Sequence, residues 1–225
     1  MALYLANGVN ADAVHNYIKE SSENGIFIRA MQIVKGKEPM LRLAFEPYDF
    51  ETPMHLYSLS KSFTSTAVGI CIDEGLLSPE TKMCELFADK MPEEMTEALR
   101  EVKLHDLLSM QSGHTSCVLD QIRWLDDPVK GFFSIPTVHK PGTVFAYSTA
   151  ATCMCAAAVE RVTGKKLVDF LDERLSKSSA SKSRSGAKRK AVRRLAAPVL
   201  SFRAIPLPSS ALCLKTRVPI TANES

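Results

Sequence analysis

From Ser176 to its last residue the chain carries 11 Lys/Arg against a single Asp/Glu, and ten of these fifty residues are serine. The tract SKSSASKSRSGAKRKAVRR has no apolar period, and the apolar residues that follow it are scattered between prolines. A stretch of this kind cannot readily close a core. The folded part is therefore expected in residues 1–175, which carry 17 Lys/Arg against 24 Asp/Glu. The formal net charge of +3 describes neither part, and the chain reads as one domain over 1–175 followed by a basic Ser-rich tail over 176–225.

With 45 % apolar residues, a chain of this length can bury one sizeable core. No run approaches the roughly 18 to 20 apolar residues of a bilayer span, and the start MALYLANGVNADAV lacks a basic end followed by an apolar run. These features predict a soluble, unexported protein of the cytoplasm, without a transmembrane segment. The six cysteines contain no Cys-x-x-Cys pair and are expected as buried reduced thiols rather than disulfides or metal ligands. His15, His55, His105, His114 and His139 are dispersed, and no glycine-rich phosphate loop occurs, so neither a metal nor an organic cofactor is expected. The tract KSRSGAKRKAVRR has the charge to bind nucleic acid or an anionic membrane surface. It lacks interleaved aromatic residues and any recognisable reading helix, and is read instead as a solvated tail.

Along the folded part, Asn10 is placed to cap a helix beginning ADAVHNYIKESS and ending at Asn24-Gly25. IFIRAMQIV (26–34) and MLRLAF (40–45) read as a hairpin turning at Lys35-Gly36-Lys37. SLSKSFTSTAVGICIDEG (58–75), rich in small residues and stopped by Gly75, predicts a buried helix. Further helices are expected over 80–89, 92–110, 150–163 and 166–175. The result is an α+β fold: a helix and antiparallel strands, then a mainly helical region.

A serine hydroxyl is a poor nucleophile near neutral pH, so a hydrolase must hold a base within hydrogen-bond reach of it. Ser58-Leu59-Ser60-Lys61 places a lysine one helical turn from a serine, on the same face. Burial and neighbouring positive charge would favour the neutral amine as a working base. The bare pattern is not specific, since Ser179/Lys182 and Ser185/Lys188 repeat it, and Ser58 alone fits an ordinary capped helix start. Only the first match opens an apolar helix.

The surrounding text is more specific. LYSLSKSFTSTAVGICIDEGLLS (56–78) resembles the active-site helix of class C β-lactamases and related esterases and D-alanyl-peptidases. LHDLLSMQSGH (104–114) is similar to that family's LLTHTSG-type segment, and PGTVFAYSTAATCMCAAAVERVTGKKLVDFL (141–171) to its PG-x-x-F-x-Y-S-N block. The resemblance spans about residues 10–175 and implies a β-lactamase/transpeptidase-like fold, an antiparallel sheet with a helical region, incomplete at its carboxyl end. It implies Ser58 as nucleophile, Lys61 as its activating partner, and Tyr147 as the tyrosine that shares a proton with nucleophile and leaving group. Thr149 stands where asparagine is usual, at a substrate-binding position; a hydroxyl lacks the amide's paired donor and acceptor, which disfavours lactam amides and favours simple esters. Taken alone, without the family match, Tyr147 reads as a core tyrosine with a satisfied hydroxyl and Thr149 as the N-cap of the next helix.

The resemblance also implies an oxyanion hole made by Ser58 N–H and by a strand bearing a Lys/His-Thr/Ser-Gly motif. Lys215-Thr216-Arg217 is similar in outline, but arginine replaces the glycine and the flanking text departs from the family, so it is read as coincidence. A reading-frame shift or an alternative end near Ser176 would account for the simultaneous change in charge, serine content and likeness. The functional expectation is a serine hydrolase that forms an acyl-enzyme on an ester, a β-lactam or a D-alanyl peptide; the alternative is an inactive truncated form of the same fold.

Overall fold

The computed structural model describes residues 2–50 and 56–178, which fall into two units divided at residue 54. The basic tail from residue 179 on, with Cys213, both later Ser-x-x-Lys matches and Lys215-Thr216-Arg217, lies outside the described residues, as does His55.

The first unit holds β1 (Ala2–Leu5), α1 (Ala11–Glu23), β2 (Ala30–Lys35) and β3 (Glu38–Ala44). All pairings are antiparallel in the order β1-β3-β2, with Ala2 opposite Ala44, and Ala30 opposite Ala44 on the other side. β3 is thus central, and Leu41, Leu43 and Ala44 are buried. Asn10 caps α1 as expected, its side-chain oxygen accepting from Ala13 N–H at 3.0 Å. The strand expected from residue 26 begins only at Ala30. Ile26 N–H donates to Ser21 O and closes the end of α1, which leaves Ile26 and Phe27 exposed. β3 begins two residues earlier than the text suggests, since Glu38 pairs with Lys35 across the Gly36-Lys37 turn. β1 went unanticipated, because four residues are too few for an alternation to register.

The second unit is helical. A 3-10 turn, Tyr57–Leu59, leads into α2 (Ser60–Asp73); there follow α3 (Met83–Leu86), α4 (Glu97–Arg100), α5 (Leu104–Leu108), α6 (Leu119–Ile122), α7 (Pro128–Ser134), α8 (Thr149–Thr163) and α9 (Leu167–Ser178). α8 is central and packs on α2, α3, α5, α7 and α9. Its Ala150, Ala151, Cys153, Cys155, Ala156 and Ala158 are buried, so small side chains let neighbouring backbones approach. Ser148 caps α8, its Oγ accepting from Ala151 N–H, and Gly164 ends it at φ +66. α2 buries one stripe, Ser60, Thr64, Ala67, Val68 and Cys71, rather than most of its surface. Among the described residues no helix is long and apolar enough to cross a membrane.

The helix expected over 92–110 is two short helices instead. Leu104 N–H donates to Thr81 O and Met83 N–H to Val102 O, so the backbone between α4 and α5 is spent on a bridge to the 81–83 segment. Asp106 then restarts the helix, accepting from Lys103 N–H at 3.0 Å. The helix expected over 80–89 is similarly reduced to α3 and a 3-10 turn, Ala88–Lys90. Apolar spacing alone does not separate these pieces from one long helix.

The turn after α5 carries the path toward α8. Gly113 O accepts from the N–H groups of Val138 and His139, each at 3.0 Å. Gly113 has φ +89, and a Cβ there would lie 2.5 Å from His139 O. Gly113→Ala is therefore expected to lower stability by about 1–3 kcal/mol, read as a lower denaturant midpoint. An unchanged midpoint would mean that this contact does not hold the two segments together.

Candidate active site

Ser58 lies in the 3-10 turn before α2, not inside the helix. The residue before it, Tyr57, has φ +46, a conformation uncommon for a side chain of that size. The turn is held by the fully buried Ser60, whose Oγ donates to Tyr57 O at 2.6 Å, and by Leu59 N–H donating to Leu56 O. Backbone strain secured by buried neighbours presents Ser58 at an exposed corner.

Two side chains converge on the Ser58 hydroxyl. Lys61 Nζ donates to Ser58 Oγ at 3.1 Å, and Tyr147 Oη donates to the same oxygen at 2.6 Å. Lys61 Nζ also stands 5.1 Å from the centroid of the Tyr147 ring. Tyr147 is delivered by the segment that enters α8, where Ala146 N–H donates to Met110 O at 2.9 Å and Ser148 begins the helix. The hydrogen bond to Ser58 and that to Lys61 hold the Tyr147 phenol below its ordinary range, against a smaller opposing effect of burial.

Three of the four residues singled out in the sequence are therefore brought together, and one is not joined to them. Thr149 is the first residue of α8 and half-buried, outside the hydrogen bonds that link Ser58, Lys61 and Tyr147. Nor is it the N-cap; that role falls to Ser148.

Two neighbours escaped the sequence reading. Ser148 was legible in principle, as a capping residue before an apolar run. Cys117 was not, since nothing in its local text places it at the start of α8. Burial pushes its thiol up, but donation from the backbones of Ala150, Leu119 and Thr149 and from the Ser148 side chain more than offsets this, and the thiol lies below its ordinary range. Cys153 and Cys155, buried in α8, are pushed up to about 12, and burial also raises Cys71 and Cys84. None of the five described cysteines is in a disulfide. Among the described residues no group of His, Cys, Asp or Glu is placed to hold a metal ion.

The fold is that of β-lactamases and transpeptidases. Three solved structures share it: a penicillin-binding protein homologue from Pyrococcus abyssi described as octameric (19% identity, TM-score 0.61, 75% of this chain and 43% of that one); a putative β-lactamase from Bacteroides dorei (20%, 0.62, 75% and 51%); and a D-stereospecific amidohydrolase from a Streptomyces species (16%, 0.61, 76% and 54%). The chain spans about half the length of these structures. By sequence, none of the curated proteins matches it. The model of the β-lactamase family matches residues 15–199, and the chain belongs to that family.

The distribution of thiol environments has a direct consequence. Under native conditions iodoacetamide is expected to label Cys117 ahead of Cys71, Cys84, Cys153 and Cys155, as read by peptide mass spectrometry. Labelling led by Cys153 or Cys155 would show that the α8 start does not favour the Cys117 thiolate.

Proposed function

We propose that this chain carries the nucleophilic centre of a serine hydrolase that works through an acyl-enzyme. The reading is carried by one observation: Ser58 Oγ accepts hydrogen bonds from both Tyr147 and Lys61. A nucleophile with two proton-bearing groups at 3.1 Å or less is built to move a proton, not merely to cap a helix.

In the proposed cycle the Tyr147 phenol first gives up its proton, so that the hydrogen bond reverses and Ser58 donates to a phenolate beside the Lys61 ammonium; Tyr147 then accepts the Ser58 proton as Oγ attacks the substrate carbonyl. The developing oxyanion is met by backbone N–H groups, that of Ser58 among them. The bond from the carbonyl carbon to the leaving group breaks, and Tyr147 returns its proton to the departing oxygen or nitrogen. Water then attacks the Ser58 ester and gives a proton to Tyr147; the bond from the acyl carbon to Ser58 Oγ breaks, Tyr147 returns that proton to Oγ, and the acid leaves with the Ser58 hydroxyl restored.

The substrate is proposed to be a small-molecule ester, lactam or D-alanyl peptide. Thr149, in place of an amide side chain, weighs toward the ester. The solved relatives include proteins described as a β-lactamase and an amidohydrolase, in keeping with acyl transfer as the shared chemistry.

Incubation with a reactive ester and, separately, with a β-lactam is expected to leave an acyl adduct on Ser58, found by intact and peptide mass spectrometry and absent in Ser58→Ala. No adduct on a chain that unfolds cooperatively would refute the reading and favour an inactive form of the fold. Tyr147→Phe is expected to slow acylation by roughly 10²- to 10⁴-fold.

The pH dependence has a defined sign. The phenolate fraction grows as pH rises through the Tyr147 value, which is held below the ordinary 10.0, so the rate should climb and level off at lower pH than an ordinary tyrosine would allow. Lys61→Met removes a hydrogen bond and a positive charge that favour the phenolate, and should move that rise to higher pH in stopped-flow acylation. An unmoved rise would exclude Tyr147 as the titrating base.

A further inference from the structure

His114 is buried and lies outside the hydrogen bonds that join the three site side chains. Its Nε2 is 3.2 Å from Ile135 O, and its Nδ1 is 3.1 Å from Ser112 Oγ, itself buried. A carbonyl oxygen only accepts, so Nε2 carries the hydrogen; in the neutral ring Nδ1 then accepts from the Ser112 hydroxyl. Both ring nitrogens are thus used. Burial, which holds His114 below its ordinary range, favours the neutral ring. The ring also meets Phe132 of α7 edge-on, with centroids 4.9 Å apart.

These bonds close a bracket. Ile135 follows α7 and starts the segment that ends at Tyr147. That segment is laid along residues 110–113: Val138 and His139 donate to Gly113 O, Gly142 to Gln111 O at 2.8 Å, and Ala146 to Met110 O at 2.9 Å. Met110 itself holds φ +57, and Gly142 passes so close that a Cβ would lie 3.0 Å from Asp106 Oδ1. The last of these bonds is made by the residue next to Tyr147. His114 secures the far end, tying the 110–114 turn to Ile135 through Nε2 and to Ser112 through Nδ1.

We infer that His114 is a positioning residue for Tyr147, fixing the turn from which the phenol is suspended over Ser58; the inference rests on the proton-transfer role proposed above. It never touches the reacting atoms. Replacing it with leucine keeps apolar contact with Phe132 but leaves Ser112 Oγ and Ile135 O unpaired, so the loss falls on the register of the Tyr147 segment. Glutamine retains a side-chain N–H for Ile135.

The test reads Tyr147 directly as well as through chemistry. The phenol is titrated by ultraviolet difference absorption, with Tyr147→Phe subtracting the other four tyrosines. In His114→Leu, checked for a cooperative thermal transition, the Tyr147 phenol should titrate at higher pH than in the parent, as contact with Ser58 and Lys61 loosens. Acylation of Ser58 should slow on the order of 10- to 100-fold. His114→Gln should recover most of both, and His114→Leu should cost nothing further in a Tyr147→Phe background. Should His114→Leu fail to fold, Ser112→Ala removes a single hydrogen bond, and a smaller shift of the same sign is expected. An unmoved phenol titration in a folded variant, or a full cost persisting without the Tyr147 hydroxyl, overturns the inference. Absence of any Ser58 adduct in the parent refutes the hydrolase reading alone, since the titration is read without turnover.

Discussion

The close packing of α2 on α8 is the constraint on which the second unit depends. Ala67, Val68 and Cys71 of one helix and Ala150, Ala151, Cys155 and Ala158 of the other are fully or almost fully buried. Side chains this small contribute modest apolar area each, but they allow two backbones to run close with few voids. Larger residues then fill the periphery: Leu104 and Leu107 from α5, Phe132 and Phe133 from α7, and Leu167 and Leu171 from α9. Because Ser58 and Lys61 stand at the start of α2 and Tyr147 just before the start of α8, the packing that builds the core also brings their side chains within hydrogen-bond distance. A larger residue at Ala67 or Ala151 would separate the helix starts before it disturbed any polar contact.

Helix packing fixes the starts of α2 and α8, but Tyr147 reaches Ser58 from a loop, and a loop needs its own support. That support is almost wholly backbone: carbonyls of residues 110, 111 and 113 accept from residues 146, 142, 138 and 139. Surface ion pairs do a different job. Lys90 with Asp127 and Arg161 with Asp89 pin chain segments at half-exposed positions, where screening leaves each pair worth little. Placement of the phenol thus follows from packing and main-chain hydrogen bonds, both insensitive to salt, and the charged groups refine a geometry already set.

What the sequence disclosed, it disclosed where local chemistry and tertiary role coincide. Asn10, the Ser58-x-x-Lys61 spacing, the run of small residues over 150–163 and Gly164 each act within one helix or the turn that adjoins it, so short-range rules find them. Ser58, Lys61 and Tyr147 were legible together only because three segments matched a known family in order; no periodicity links residues 89 positions apart. The misreadings share the opposite cause. The 92–110 text has helical spacing, but its backbone is diverted to a bridge with residues 81–83. Ile26 and Phe27 look like strand, yet the end of α1 claims Ile26 N–H. Cys117 and His114 act through partners up to 33 residues away, which no local pattern encodes.

The electrostatics of the site follow from its exposure. Tyr147 is 51% exposed and Ser58 lies at the surface, so the Lys61 charge beside them is partly screened by water. Hydrogen bonding, which is short-ranged, leads in holding the phenol below its ordinary range; the Coulomb effect of Lys61 ranks behind it and behind burial. A substrate that displaced water from this corner would strengthen both attractions at once, because charges and hydrogen bonds gain as the local dielectric falls. In the proposed cycle it would also deprive the Tyr147 phenolate of hydration and make it a stronger base toward Ser58. Under the proposed acyl transfer, the fold sets position in advance, while the driving force for proton transfer would grow only as a substrate covers the serine.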